Sequence, residues 1–176
     1  MTASMDKVRF LVVDDNAHML NIVKTILRGF GAINVFESKS ADDAFERLRR
    51  DSIDIVVLDY LMGDEDGVAF LRRLRRDETS PAPFVPVIML TAHSERARVE
   101  AARDAGVSEF CAKPITALEM FRKIASVINH SRQFVRTEGY LGPDRRRRSD
   151  PAYPGPERRA VPEGEHATDD GAVTAR

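Results

Sequence analysis

The chain has 176 residues, enough for one domain or for one domain with an appendage. Apolar residues make up 43% of it, and 27 basic residues against 28 acidic ones leave a net charge of −1, so an ordinary core is expected and bulk charge singles out no nucleic-acid or membrane partner. Cys111 stands alone, which excludes an internal disulfide and a thiolate metal cluster; no apolar run is long enough to span a membrane, and Met1 to Lys7 lacks the basic and apolar stretches of a signal peptide, so a cytoplasmic location is expected.

Val8 to Val13 is a short apolar run broken only by Arg9, and it predicts a buried strand ending in Asp14 and Asp15. From His18 to Phe30 apolar residues recur at helical spacing (Leu20, Val23, Ile26, Leu27), and Gly29 and Gly31 stop the helix. Ile33 to Phe36 predicts a second strand. Ser40 is placed to cap a helix over Ala41 to Arg50. Ile53 to Leu58 predicts a third strand ending in Asp59. Asp66-Gly67 opens a helix with Phe70, Leu71 and Leu74 on one face, and Arg72, Arg73, Arg75 and Arg76 read as its solvated side. Val85 to Leu90 is a fourth strand ending in Thr91, and Ser94 is placed to cap a helix over Glu95 to Ala105. Val107 to Ala112 is a fifth strand ending in Lys113-Pro114, and Thr116 starts a final helix through Ile128. Alternating helices and fully apolar strands predict an α/β fold: a doubly wound, five-stranded parallel sheet covered on both faces.

Such sheets carry their sites at the carboxyl ends of the strands. Here those ends hold Asp14, Asp15, Asp59, Thr91 and Lys113. Three carboxylates gathered there repel one another, and a hard divalent cation with oxygen ligands, best Mg²⁺, resolves the conflict. Asp59, at the tip of the central strand, is the natural nucleophile toward a phosphoryl group. Lys113 supplies an ammonium and Thr91 a hydroxyl for the transferring oxygens. The backbone carbonyl of Leu61 completes the expected metal shell. The four histidines, scattered without ligand spacing, are given ordinary roles.

The stretches Leu11-Val12-Val13-Asp14-Asp15-Asn16, Val57-Leu58-Asp59-Tyr60-Leu61-Met62, Met89-Leu90-Thr91-Ala92 and Phe110-Cys111-Ala112-Lys113-Pro114 resemble the receiver domains of two-component response regulators, the CheY-like proteins. The resemblance implies a flavodoxin-like receiver over residues 7–130 that catalyses only its own phosphotransfer and is otherwise no enzyme. It implies transfer from a sensor histidine kinase or a histidine phosphotransferase onto Asp59, with Asp14, Asp15 and Asp59 around Mg²⁺ and Lys113 before a cis bond to Pro114. It also implies a switch pair, Thr91 and Phe110, that remodels the surface of the fourth helix, fifth strand and fifth helix. One departure stands out: Gly63 occupies a loop position where receivers usually have proline, and Asp64 and Glu65 make that loop more acidic.

Beyond about Arg136 the periodicity stops, and the Pro, Gly, Arg and acidic composition predicts an arginine-rich tail over residues 131–176 that is disordered without ligand. Within it Tyr140-Leu141-Gly142-Pro143-Asp144-Arg145-Arg146 recurs as Tyr153-Pro154-Gly155-Pro156-Glu157-Arg158-Arg159, with Arg147, Arg148, Ser149 and Asp150 between the copies. A polyanion binder needs only positive charge, whereas here each arginine pair has its own acid. Guanine accounts for the mixture: an arginine fork reads O6 and N7, a carboxylate accepts from N1–H and the amino group, and tyrosine stacks on the base. Two copies match a ligand with two guanines and two phosphates, cyclic di-GMP. The repeat also resembles the arginine-rich extension of the Cle proteins, a CheY-like subgroup that binds cyclic di-GMP. That resemblance implies a flagellar motor switch protein as partner. Two alternatives remain: an inert solubilising tail on a phosphorelay receiver, and a tail that binds RNA, DNA or acidic protein without specificity.

Overall fold

A computed structural model describes residues 5–63, 65–92, 96–129 and 132–144. They belong to the first of two units into which the chain divides, Met1–Arg145 and Arg146–Arg176. Five strands, β1 (Arg9–Val13), β2 (Asn34–Ser38), β3 (Ile55–Asp59), β4 (Val87–Thr91) and β5 (Glu109–Ala112), form one sheet in the order β2-β1-β3-β4-β5. Every neighbouring pair is parallel. Five helices connect them: α1 (Ala17–Gly29), α2 (Ala41–Arg50), α3 (Gly67–Arg76), α4 (Arg96–Asp104) and, after β5, α5 (Ala117–Asn129).

Because strand side chains alternate between faces, each strand feeds two cores. Phe10, Val12, Val57, Ile88 and Leu90 pack with Leu20, Val23 and Leu27 of α1 and with Met120 and Ile124 of α5. Leu11, Val13, Val56, Leu58, Val87 and Met89 pack on the other face with Ala44 and Phe45 of α2, Phe70, Leu71 and Leu74 of α3, and Ala102 of α4. Cys111 is a buried member of the first core.

Helix starts follow local hydrogen-bond chemistry. Asn16 Oδ1 accepts from the His18 and Met19 amides, Ser40 Oγ from Asp43, and Asp66 Oδ1 from Ala69, each satisfying donors that a helix's first turn leaves open. Ser94 lies outside the described residues. Gly106, with φ of +93°, follows α4, and its amide donates to Arg103 O.

The composition predicts a tail from residue 131, and the structure differs. Residues 132–144 carry an antiparallel hairpin, β6 (Phe134–Thr137) and β7 (Tyr140–Pro143), joined through Glu138-Gly139. It packs against the amino ends of β4 and β5, the side of the sheet opposite the carboxyl ends. Leu141 is buried, Phe134 meets Phe84 edge to face at 5.7 Å, and the Arg132 guanidinium donates to Ser108 O and Asp144 O. The physical reason is apolar content: the partly buried Phe134 and the buried Leu141 supply apolar surface that orders a short hairpin on an existing core.

Arg75 also departs from the expected solvated face. It is 2% exposed, its Nε and Nη2 donate to Gly106 O, and its Nη1 donates to Pro83 O at 2.7 Å. Its guanidinium lies 5.0 Å from the centroid of the Phe134 ring. Burial pushes its pKa down to about 9, so it remains a cation at neutral pH. Arg73 pairs with Asp42 and Glu65 and lies over the Phe45 ring, and Arg76 donates to Gly139 O in the hairpin turn.

Candidate functional site

Asp14, Asp15 and Asp59 converge where β1 and β3 end, and one carboxylate oxygen from each lies within 4.8 Å of the others. Asp14 is fully buried, Asp59 is 6% exposed and Asp15 faces solvent. The pairing of Val13 with Leu58 across β1 and β3 brings these strand ends level. Gly67 then lets α3 start against the end of β3: its amide donates to Tyr60 O, and a Cβ there would stand 2.2 Å from Asp59 O. Any side chain at this position would push helix and acceptor strand apart.

Lys113 enters from the end of β5. Its Nζ lies 2.9 Å from Asp59 Oδ1 and 3.7 Å from Asp14 Oδ2. Its amide donates to Thr91 O, and the Lys113–Pro114 bond is cis, as the family resemblance implies. Thr91 is buried at the end of β4 beside this group, and Phe110, half-buried on β5, packs against the core under α2, α3 and α4.

One lysine does not balance three carboxylates. Asp14 Oδ1 accepts from the Asn16 amide at 2.8 Å, but its buried Oδ2 has no hydrogen-bond donor. Burial raises the pKa of Asp14; the nearby charges of Asp59 and Asp15 push the same way, against the Asn16 amide and Lys113. A crowded oxygen cluster with a buried oxygen left unsatisfied is what a hard divalent cation requires.

The structure therefore brings together Asp14, Asp15, Asp59, Thr91 and Lys113, with Leu61 two residues beyond the acceptor strand. The residues assigned to nucleotide binding fare differently. Tyr140 lies in β7, half-buried. Its hydroxyl donates to Pro143 O at 2.7 Å and its ring tip lies over Gly142, so it serves the hairpin in this structure. The Asp144 amide donates to Gln133 O, closing the hairpin's open end. Arg145, Arg146, Arg147, Arg148, Ser149, Asp150, Tyr153, Glu157, Arg158 and Arg159 lie outside the described residues.

Sequence reasoning missed two features here. Gly67 was legible as part of an Asp-Gly helix start but not as the contact point behind the acceptor. Arg75 stands seven residues after Val68 and four after Leu71, on the apolar stripe of α3, and that spacing was a signal that it faces inward.

Comparisons with known proteins give the family and the fold. The family model described as the response regulator receiver domain matches residues 10–125. Over 128 residues the chain is 34% identical to the chemotaxis protein CheY-3 of Vibrio cholerae serotype O1, spanning 72% of this chain and 97% of that protein. Over 119 residues it is 34% identical to the chemotaxis protein CheY of Pseudomonas aeruginosa, spanning 68% and 94% respectively. Among solved structures, the Vibrio cholerae chemotaxis protein CheY4 matches with a TM-score of 0.63 at 21% identity, covering 68% of this chain and 98% of that one. The receiver domain of Francisella response regulator 1452 matches with a TM-score of 0.63 at 21% identity, covering 72% and 100%. At such identities the structures speak for the fold alone.

Proposed function

Because this chain belongs to the response regulator receiver family, we propose that it is phosphorylated on Asp59 by a histidine kinase or histidine phosphotransferase. The carrying observation is the ammonium of Lys113 at 2.9 Å from Asp59 Oδ1, inside a cluster of three carboxylates. A carboxylate oxygen of Asp59 attacks phosphorus as the P–N bond of the donor phosphohistidine breaks, leaving an acyl phosphate and a free imidazole. Lys113 neutralises charge on the transferring oxygens, and Thr91 offers its hydroxyl to the new phosphoryl group. Asp14, Asp15, Asp59 and the Leu61 carbonyl would hold Mg²⁺, which would supply further positive charge to stabilise the transfer. Thr91 and Phe110 carry the change to the surface of α4, β5 and α5, where a partner docks. The relatives named as chemotaxis proteins support a flagellar motor switch protein as that partner.

The test is incubation of the full chain with acetyl phosphate and Mg²⁺, followed by intact mass measurement. One added phosphoryl group is expected, and none in Asp59→Asn. Equal incorporation by that variant would sink the assignment.

A second input rests on the repeated aromatic–turn–acid–arginine unit: cyclic di-GMP binds the segment from Tyr140 to Arg159 and adjusts partner choice. Calorimetric titration of the full chain tests it, with GTP and cyclic di-AMP as controls. Selective binding, lost when Arg145, Arg146, Arg158 and Arg159 become Ala, is expected. A cut at Thr137 would split the hairpin, so substitution is the better probe. No heat from the full chain would leave a receiver with an inert tail. Salt-steep binding indifferent to base would point to nucleic acid.

A further inference from the structure

The Gly63 amide donates to Asp15 Oδ2 at 2.8 Å, linking residues 48 apart in sequence. Asp15 is the exposed member of the carboxylate cluster, and among the described residues this bond is what holds its side chain. Asp14 and Asp59 both repel it, and nothing about burial confines it. An N–H donated to a carboxylate is a charge-assisted bond, strong enough to fix an exposed rotamer. It occupies Oδ2 and leaves Oδ1 and a further lone pair for a cation.

Described residues that flank this amide are held in place. Gly67 N donates to Tyr60 O, Asp66 caps α3, and Glu65 pairs with Arg73 at 3.4 Å. The Gly63 donor is thus anchored to the acceptor strand on one side and to α3 on the other. Glycine itself is not what the geometry asks for. Gly63 has no positive φ, and a Cβ there would stand 3.5 Å from Asp15 Oδ2, an ordinary contact. The requirement is an N–H, which proline alone lacks. The departure from the proline usual in receivers thus gives this chain a bond that a proline loop cannot make.

We propose that Gly63 is a positioning residue whose backbone N–H orients Asp15 for divalent-cation binding. The inference rests on reading Asp14, Asp15 and Asp59 as the cation site. A donor that orients a ligating side chain typically changes metal affinity by about 10–100-fold when it is lost.

Calorimetric titration of Mg²⁺ into the full chain, Gly63→Ala, Gly63→Pro and Asp15→Asn is the test, with thermal melting in EDTA to establish that each variant folds. Gly63→Ala should bind within about twofold of the parent, and Gly63→Pro at least about tenfold more weakly. In an Asp15→Asn background, Gly63→Pro should cause little further loss, because both changes act through one carboxylate. Parent-like affinity in a folded Gly63→Pro variant would overturn the positioning role and leave the cation site standing. No Mg²⁺ binding by the parent would overturn both. Should Gly63→Pro not fold, the amide proton resonance of Gly63 decides. It should move upfield in Asp15→Asn, and an unchanged resonance would overturn the proposal.

Discussion

The two ends of the sheet handle buried charge in opposite ways. At the carboxyl ends, three carboxylates surround one lysine, and Asp14 Oδ2 is buried without a donor. At the amino ends, a buried cation, Arg75, has its guanidinium spread over the carbonyls of Gly106 and Pro83 and the ring of Phe134. Both sites are polar and enclosed, yet the carboxylate cluster leaves a buried charged oxygen without a donor, whereas the Arg75 guanidinium donates from each of its three nitrogens. A satisfied buried charge fixes a contact between elements, whereas an unsatisfied one waits for a ligand.

If that contrast holds, changes at the two ends should separate rate from stability. Lys113→Ala carries the largest expected effect: phosphorylation by acetyl phosphate should slow by about 10²–10³-fold, the cost of losing one charge-stabilising donor. Amide exchange in the hairpin should be unchanged. A small effect on the rate of mass gain would break the contrast at its functional end.

Mg²⁺ should come next, stabilising the chain by about 2.7 kcal/mol at a hundred times its Kd. The pH dependence follows from Asp14, whose folded pKa lies above the usual 3.8 because burial disfavours its charge. In metal-free protein that raised value favours folding below pH 3.8 and loses its benefit as pH rises through the folded pKa. A cation needs the ionised form. The Mg²⁺-induced rise in Tm should therefore be greatest near neutral pH and shrink as pH falls through the raised pKa, as calorimetry in Mg²⁺ and in EDTA will register.

At the other end Arg75→Met should cost about 2 kcal/mol, because the Gly106 and Pro83 carbonyls lose charged donors. Hairpin amides should exchange faster while the phosphorylation rate stays unchanged. A slower rate would mean that the hairpin end and the pocket are coupled. Phe84→Leu is the mildest test: losing the edge-to-face contact with Phe134 should cost about 0.5–1 kcal/mol in thermal melts.

Much of this was open to reading from the residues alone. The apolar strands and amphipathic helices gave the parallel sheet, since their periods are local. Ser40 announced its cap, and Asp66-Gly67 announced the start of its helix. The pocket was legible because Asp14, Asp59, Thr91 and Lys113 each sit at the end of an apolar run, so that a parallel sheet must bring them to one edge. The hairpin was passed over: Phe134-Val135-Arg136-Thr137 and Tyr140-Leu141 flank a two-residue Glu-Gly turn, but the Pro, Gly and Arg that follow masked this short signal. Arg75 was misjudged because charge type outweighed its position on the helical stripe.

The sequence by itself determined the order and type of the five parallel strands and the helices around them, and the chemistry at those strand ends, because these depend on local period and on the parallel topology that the period enforces. The tertiary structure alone decided that Arg75 turns inward, that Tyr140 closes a hairpin, and that the Gly63 amide holds Asp15. Each of these is a contact between segments far apart in the chain, or a choice between water and a particular carbonyl, carboxylate or ring, and that choice is made only once the packed elements bring a partner within reach.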